Sequence, residues 1–200
     1  LLSMLYEAIS PLPDFLSLKS FIDEEIITKF VYVFVDIIFL PFENVHSDLK
    51  KVKLLNEIKI IGRSSLQNMF ITFPAQRDFI IGEVLAKIEE LPNKRTTKKS
   101  SSNSNDDSIS DFTMTLVQFL SSINIFDHCK TIDTWTPEKT DTAIRMHQES
   151  SNSIMRYCDM IANTLFDKCK DSNPQNKHLL EIYVSDLSKM YAHPTWPVTE

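Results

Sequence analysis

The sequence predicts an all-α chain, and three observations carry that expectation. Only two glycines, Gly62 and Gly82, occur in 200 residues, so two-residue hairpins, which want Asn-Gly or Gly-X, have nowhere to form. Apolar residues recur at three- and four-residue spacings along most of the chain, the mark of helices with one buried face. Serine, threonine and proline stand where such helices would start or stop. With 42% hydrophobic residues and a net charge of −6, from 21 basic and 27 acidic residues, the balance is that of a globular protein. Glycine scarcity also excludes function classes. No Gly-rich loop exists to cradle a phosphate, which rules out a Rossmann domain, a P-loop NTPase and a kinase and makes a β-sandwich a poor fit.

The elements follow in order. The chain opens inside an apolar pattern (Leu1, Leu2, Leu5, Ile9) rather than on Met, and closes in a Pro/Trp segment, so it reads as a piece of something longer. No charged n-region with an apolar h-region and a small-residue cleavage site is visible in it, so nothing argues for secretion. The most apolar run, Phe30–Leu40, is interrupted by Asp36 and preceded by Lys29 and the acids Asp23, Glu24 and Glu25, which argues against a membrane span. Its β-branched and aromatic residues would suit a strand, but they do not alternate. Ser20 as N-cap and Pro41 as stop predict a buried helix of about twenty residues, covered on most sides. Ser47 caps a long segment with Leu49, Val52, Leu55, Ile58, Leu66, Met69, Phe70 and Phe73. Pro74 then opens a helix carrying Phe79, Ile80, Val84, Leu85 and Ile88, which Leu91-Pro92 ends.

From residue 93 to 110 the apolar period disappears: Lys94, Arg95, Lys98 and Lys99 are followed by a Ser/Asn tract with Asp106 and Asp107, which predicts a loop. Helix resumes from Phe112 to Phe126. Thr136-Pro137-Glu138 marks a fresh N-terminus whose pattern continues to about Lys170, and Asn173-Pro174 starts a last helix running to His193-Pro194. Two helices and a short turn, repeated about every forty residues, give a HEAT-like period. The expected architecture is a HEAT-like solenoid of antiparallel helix pairs over residues 1–92, a basic then Ser/Asn-rich loop over 93–110, and further HEAT-like helices over 111–200.

Candidate chemistry is sparse. Asp127, His128 and Cys129 lack the further ligands a structural zinc site needs and read as helix-end residues. His147 and His178 read as solvated or packed, and Glu24-Glu25 and Glu89-Glu90 as solvated faces. Cys129, Cys158 and Cys169 are odd in number. Cys158 and Cys169 would lie roughly 16 Å apart in one helix, beyond disulfide reach. They read as reduced, intracellular thiols packing as small hydrophobes. Trp135 and Trp196, beside prolines at helix ends, read as packing anchors. No catalytic residue, metal or cofactor is expected. Charge is more informative. Residues 1–90 carry 9 basic and 13 acidic side chains and 111–200 carry 8 and 12, whereas 91–110 carry 4 and 2. That makes Lys94, Arg95, Lys98 and Lys99 the expected contact with nucleic acid or an acidic partner, and the loop the one net-positive stretch of an acidic chain.

The run from Gln76-Arg77 through Glu83 to Leu91-Pro92-Asn-Lys94-Arg95 resembles the NIPBL/Nipped-B family of cohesin loaders, in which an arginine opens a helix that ends in Leu-Pro and a Lys-Arg pair. Pro41-Phe-Glu-Asn44-Val45 upstream fits the same register. Downstream, Asp141-Thr-Ala143-Ile-Arg145 to Lys168-Cys169, Leu180 to Leu187, and Pro194-Thr-Trp196-Pro197 resemble the family in colinear order, so the resemblance covers residues 40–200. It implies a hook-shaped HEAT solenoid, nuclear and chromosome-associated, that engages SMC heads, kleisin and DNA. Such a loader stimulates cohesin's ATPase and promotes its loading without catalytic residues of its own. A Mau2-type subunit would bind a segment outside this one. A HEAT or armadillo scaffold or transport adaptor binding a peptide on its concave face is the alternative, and a helical enzyme the third.

Overall fold

In a computed structural model, the structure describes residues 2–17, 22–40, 49–87, 110–123, 135–170 and 174–191. These form eight α-helices and one 3-10 turn, with no strand among them, as the glycine and periodicity arguments require. The helices are α1 (Leu2–Ile9), α2 (Leu12–Ser17), α3 (Glu24–Ile38), α4 (Leu49–Thr72), α5 (Arg77–Ala86), α6 (Asp111–Ser122), α7 (Pro137–Lys170) and α8 (Pro174–Tyr191), with the 3-10 turn at Pro74–Gln76. No helix among the described residues is long and apolar enough to cross a membrane. The chain divides into two compact units, Leu1–Pro92 and Asn93–Glu200.

The N-terminal unit is assembled on α4, which packs against α1, α2, α3 and α5. Its buried face runs Leu55, Ile58, Gly62, Leu66, Met69 and Phe70, a three-to-four-residue rhythm that keeps one stripe turned inward. Opposite it, α3 contributes Ile27, Val31, Phe34, Val35, Ile37 and Ile38. Two expectations about α3 are corrected. Its N-cap is Asp23, whose carboxylate accepts the Glu25 N–H at 2.9 Å, not Ser20. It is also covered on one broad face rather than most sides, since Ile26, Tyr32 and Val33 lie on the surface. Tyr32 sits edge-on to Phe79 of α5 with ring centroids 5.8 Å apart. The short helix α2 is held from α4 by polar contacts: Asn68 Nδ2 donates to the Pro13 carbonyl at 2.8 Å, and Thr72 Oγ1 to that of Leu16 at 3.5 Å.

The C-terminal unit is built on α6, α7 and α8. Ser110 is the N-cap of α6, accepting the Thr113 N–H at 3.2 Å. Behind it lies Asp186 of α8, fully buried, whose Oδ2 accepts both the Ser110 N–H and the Thr113 hydroxyl at 3.0 Å. A charge-assisted pair of bonds of this kind compensates much of the cost of burying the carboxylate, and it ties the start of α6 to the middle of α8. Phe112 packs edge-on against Tyr183 of α8 at 6.0 Å. Helix α7 begins at Pro137 behind Thr136, which accepts the Lys139 N–H at 3.3 Å. A backbone N–H and then the Thr136 hydroxyl hold the Glu138 carboxyl below its usual range.

At 34 residues α7 spans roughly 51 Å, against about 27 Å for the 18-residue α8 that it packs on. Its buried residues are Ala143, Tyr157, Ile161 and Leu165, three of the four in its C-terminal half. A second apolar stripe faces solvent: Ile144, Met155 and Phe166, which are 51%, 65% and 59% exposed. Their spacing of eleven residues is three turns plus about 20°, so the three lie nearly in line over roughly 33 Å.

The two glycines generate a paired prediction. Both lie inside helices, and a Cβ at Gly62 would sit 2.8 Å from Ile37 Cγ2, whereas nothing lies within 4 Å at Gly82. Gly82→Ala therefore gains helix propensity and should raise stability by about 0.5–1 kcal/mol. At Gly62→Ala the same gain is outweighed by overpacking against a β-branched side chain. A net loss of about 1 kcal/mol is expected, read from urea denaturation midpoints.

Tyr183 generates a second. Burial, and after it the neighbouring Cys158, push its hydroxyl up from 10.0 to about 12. The folded pKa lies above the unfolded one, so the neutral phenol's contribution is whole below about pH 10 and lost as pH climbs through about 12. The loss amounts to about 2–3 kcal/mol. Tyr183→Phe should flatten stability against pH in that window, measured by thermal denaturation at stepped alkaline pH.

Candidate partner-binding surface

The residues that open the family-like motif prove to be joints. Arg77 starts α5 directly after the 3-10 turn, and its Nε donates to the carbonyl of Phe70 at 2.9 Å. That carbonyl belongs to the last turn of α4, where backbone oxygens have no partner within the helix. The same guanidinium stacks over the Phe70 ring, 5.1 Å from its centroid, while Phe70 itself is fully buried. One side chain thus closes the end of α4 and aims α5. Beside it, Gln76 Nε2 donates to Glu24 Oε1 at 2.8 Å, reaching the first turn of α3. At the other end of α5, Lys87 pairs with Asp36 at 2.9 Å. Asp36, the polar interruption of the most apolar run, is thereby given a partner. α5 is fastened at both ends to the helices it packs on.

The four cations expected to make the contact, Lys94, Arg95, Lys98 and Lys99, lie outside the described residues, as do Asp127, His128, Cys129 and Trp196. Among the described residues no three of His, Cys, Asp and Glu gather as a metal-ligand set. His147 is exposed, and His178 Nδ1 lies 3.6 Å from Glu181 Oε2, one turn along α8. Trp135, expected to anchor packing, is instead 55% exposed. Cys158, expected to pack, is an exposed residue. Partial burial of its sulfur, followed by the neighbouring Asp159 carboxylate, pushes its thiol up, away from the reactive thiolate.

Charge counted helix by helix corrects the expectation that the 91–110 loop is the one net-positive stretch. Helix α4 carries Lys50, Lys51, Lys53, Lys59 and Arg63 against a single acid, Glu57. Lys50, Lys51 and Lys53 are exposed, Arg63 is half-buried and Lys59 is buried. Counting over 90 residues concealed them, because the acids of the flanking helices cancel them. A sum taken over each predicted helix would have found them.

No protein-family model matches the chain. Over 195 residues, 97% of its length, it is 29% identical to sister chromatid cohesion protein 2 of Saccharomyces cerevisiae, of which it covers 13%. Over 160 residues, 68% of the chain, it is 26% identical to sister chromatid cohesion protein mis4 of Schizosaccharomyces pombe, of which it covers 10%. The chain is thus similar to two yeast sister chromatid cohesion proteins, in one case over nearly its whole length rather than from residue 40 onward.

The double role of Arg77 is open to test. Arg77→Ala removes both the stacked cation and the Nε–H donated to the Phe70 carbonyl, which should lower stability by about 1–3 kcal/mol. Arg77→Lys keeps the charge but lacks the planar fork that donates and stacks at once, and should recover less than half of the loss. Chemical denaturation of the three proteins side by side measures both.

Proposed function

We propose that this chain is part of a cohesin loader. In this reading it is a segment of a HEAT-type solenoid that binds cohesin and DNA, stimulates the cohesin ATPase and promotes loading of cohesin onto chromosomes in the nucleus. The observation that carries the reading is the colinear similarity to two yeast sister chromatid cohesion proteins, over 97% of the chain in one case. The helical architecture supports it, since α-helices stacked on one another are the material of a solenoid. SMC heads and kleisin are the protein partners in this reading, and a Mau2-type subunit binds elsewhere in the longer protein.

The mechanism is one of differential binding. A loader without acid, base or nucleophile accelerates another protein's ATP hydrolysis by favouring the conformation that hydrolyses. The size of the effect is set by how much better it binds that conformation than the other. Helices fastened at both ends, as α5 is to α3 and α4, supply stiff surfaces for this work. Lys94, Arg95, Lys98 and Lys99 contact DNA phosphate or an acidic surface of the partner.

Depletion of the parent protein, followed by chromatin fractionation, tests the assignment. Cohesin should leave the chromatin fraction, and purified parent protein should raise cohesin's ATP turnover while hydrolysing nothing alone. Undiminished chromatin-bound cohesin refutes the loader reading.

The basic block has its own test in the full-length protein. With a net charge of −6, the 200-residue chain has little long-range attraction for DNA, so its contacts act within the assembled complex. If all four cations neutralise phosphates, their joint replacement by Glu should reduce the slope of log affinity against log salt by about 3 to 4 units. A salt series of DNA-binding isotherms measures it, and an unaltered slope with unaltered loading makes the block a solvated linker.

A further inference from the structure

We draw no further inference here: the strongest candidate, the outward apolar stripe of α7 formed by Ile144, Met155 and Phe166, is an unpartnered helix face, and nothing in the structure shows what covers it.

Discussion

A chain with almost no glycine has to end its helices without the residue that usually ends them. The left-handed position just past a helix is normally taken by glycine, which lets the backbone fold back on its own orphan carbonyls. Here Gly62 lies within α4 and Gly82 within α5, so neither serves that purpose. At α3, α5 and α6 the backbone N–H of the following residue, Phe39, Lys87 or Ile123, meets the last carbonyls, and elsewhere side chains from other elements bond to helix groups. Arg77 closes α4 at Phe70, Asn68 and Thr72 reach the carbonyls of α2, and Asp186 of α8 holds the first residues of α6. Each contact satisfies a helix group and fixes an angle between two helices in the same stroke. At the Arg77 joint local termination and tertiary packing coincide, so loss of that side chain loosens an interface as well as a helix end.

The same economy explains which surfaces are left over. Helix α3, though among the most apolar segments, spends only one face on α4 and α5 and leaves Ile26 and Val33 in water. Helix α7 outruns its neighbour and carries apolar residues on two faces rather than one. In a closed bundle such residues would be inside. In a layered array each helix pair presents an apolar face to the next layer, so leftover apolar surface is the ordinary state of any one layer.

Much of the fold was legible from residue spacing. Thr136-Pro137 and Pro174 mark the starts of α7 and α8, and Lys170 the end of α7, where the structure has them. Less legible were choices between equivalent signals. Ser20 and Asp23 are both competent caps, and the structure selects Asp23, with Glu24 and Glu25 following in the favourable first turn. Trp135 resembles a packing anchor by type, yet burial depends on neighbours far along the chain. The basic block Lys94, Arg95, Lys98 and Lys99 was read from charge alone and lies outside the described residues, whereas Gln76-Arg77, read only as part of a family-like run, also make a helix joint. Their distinctiveness comes from closing a helix joint, which a motif alone does not reveal. Helix α4 was read correctly as a helix, and its role as the platform for four others follows only from contacts between residues distant in sequence.

The missing side chain at Gly62 has a consequence for how such sequences diverge. The 2.8 Å separation between its would-be Cβ and Ile37 Cγ2 makes the two positions a single steric unit, 25 residues apart in the chain. A relative that acquires alanine at the first should have trimmed the second to a residue without that γ-methyl, or tilted the helix that bears it. The steric clash thus predicts that the two positions change together. An alignment deep enough to show co-variation would register the pair as a contact before any coordinates were consulted.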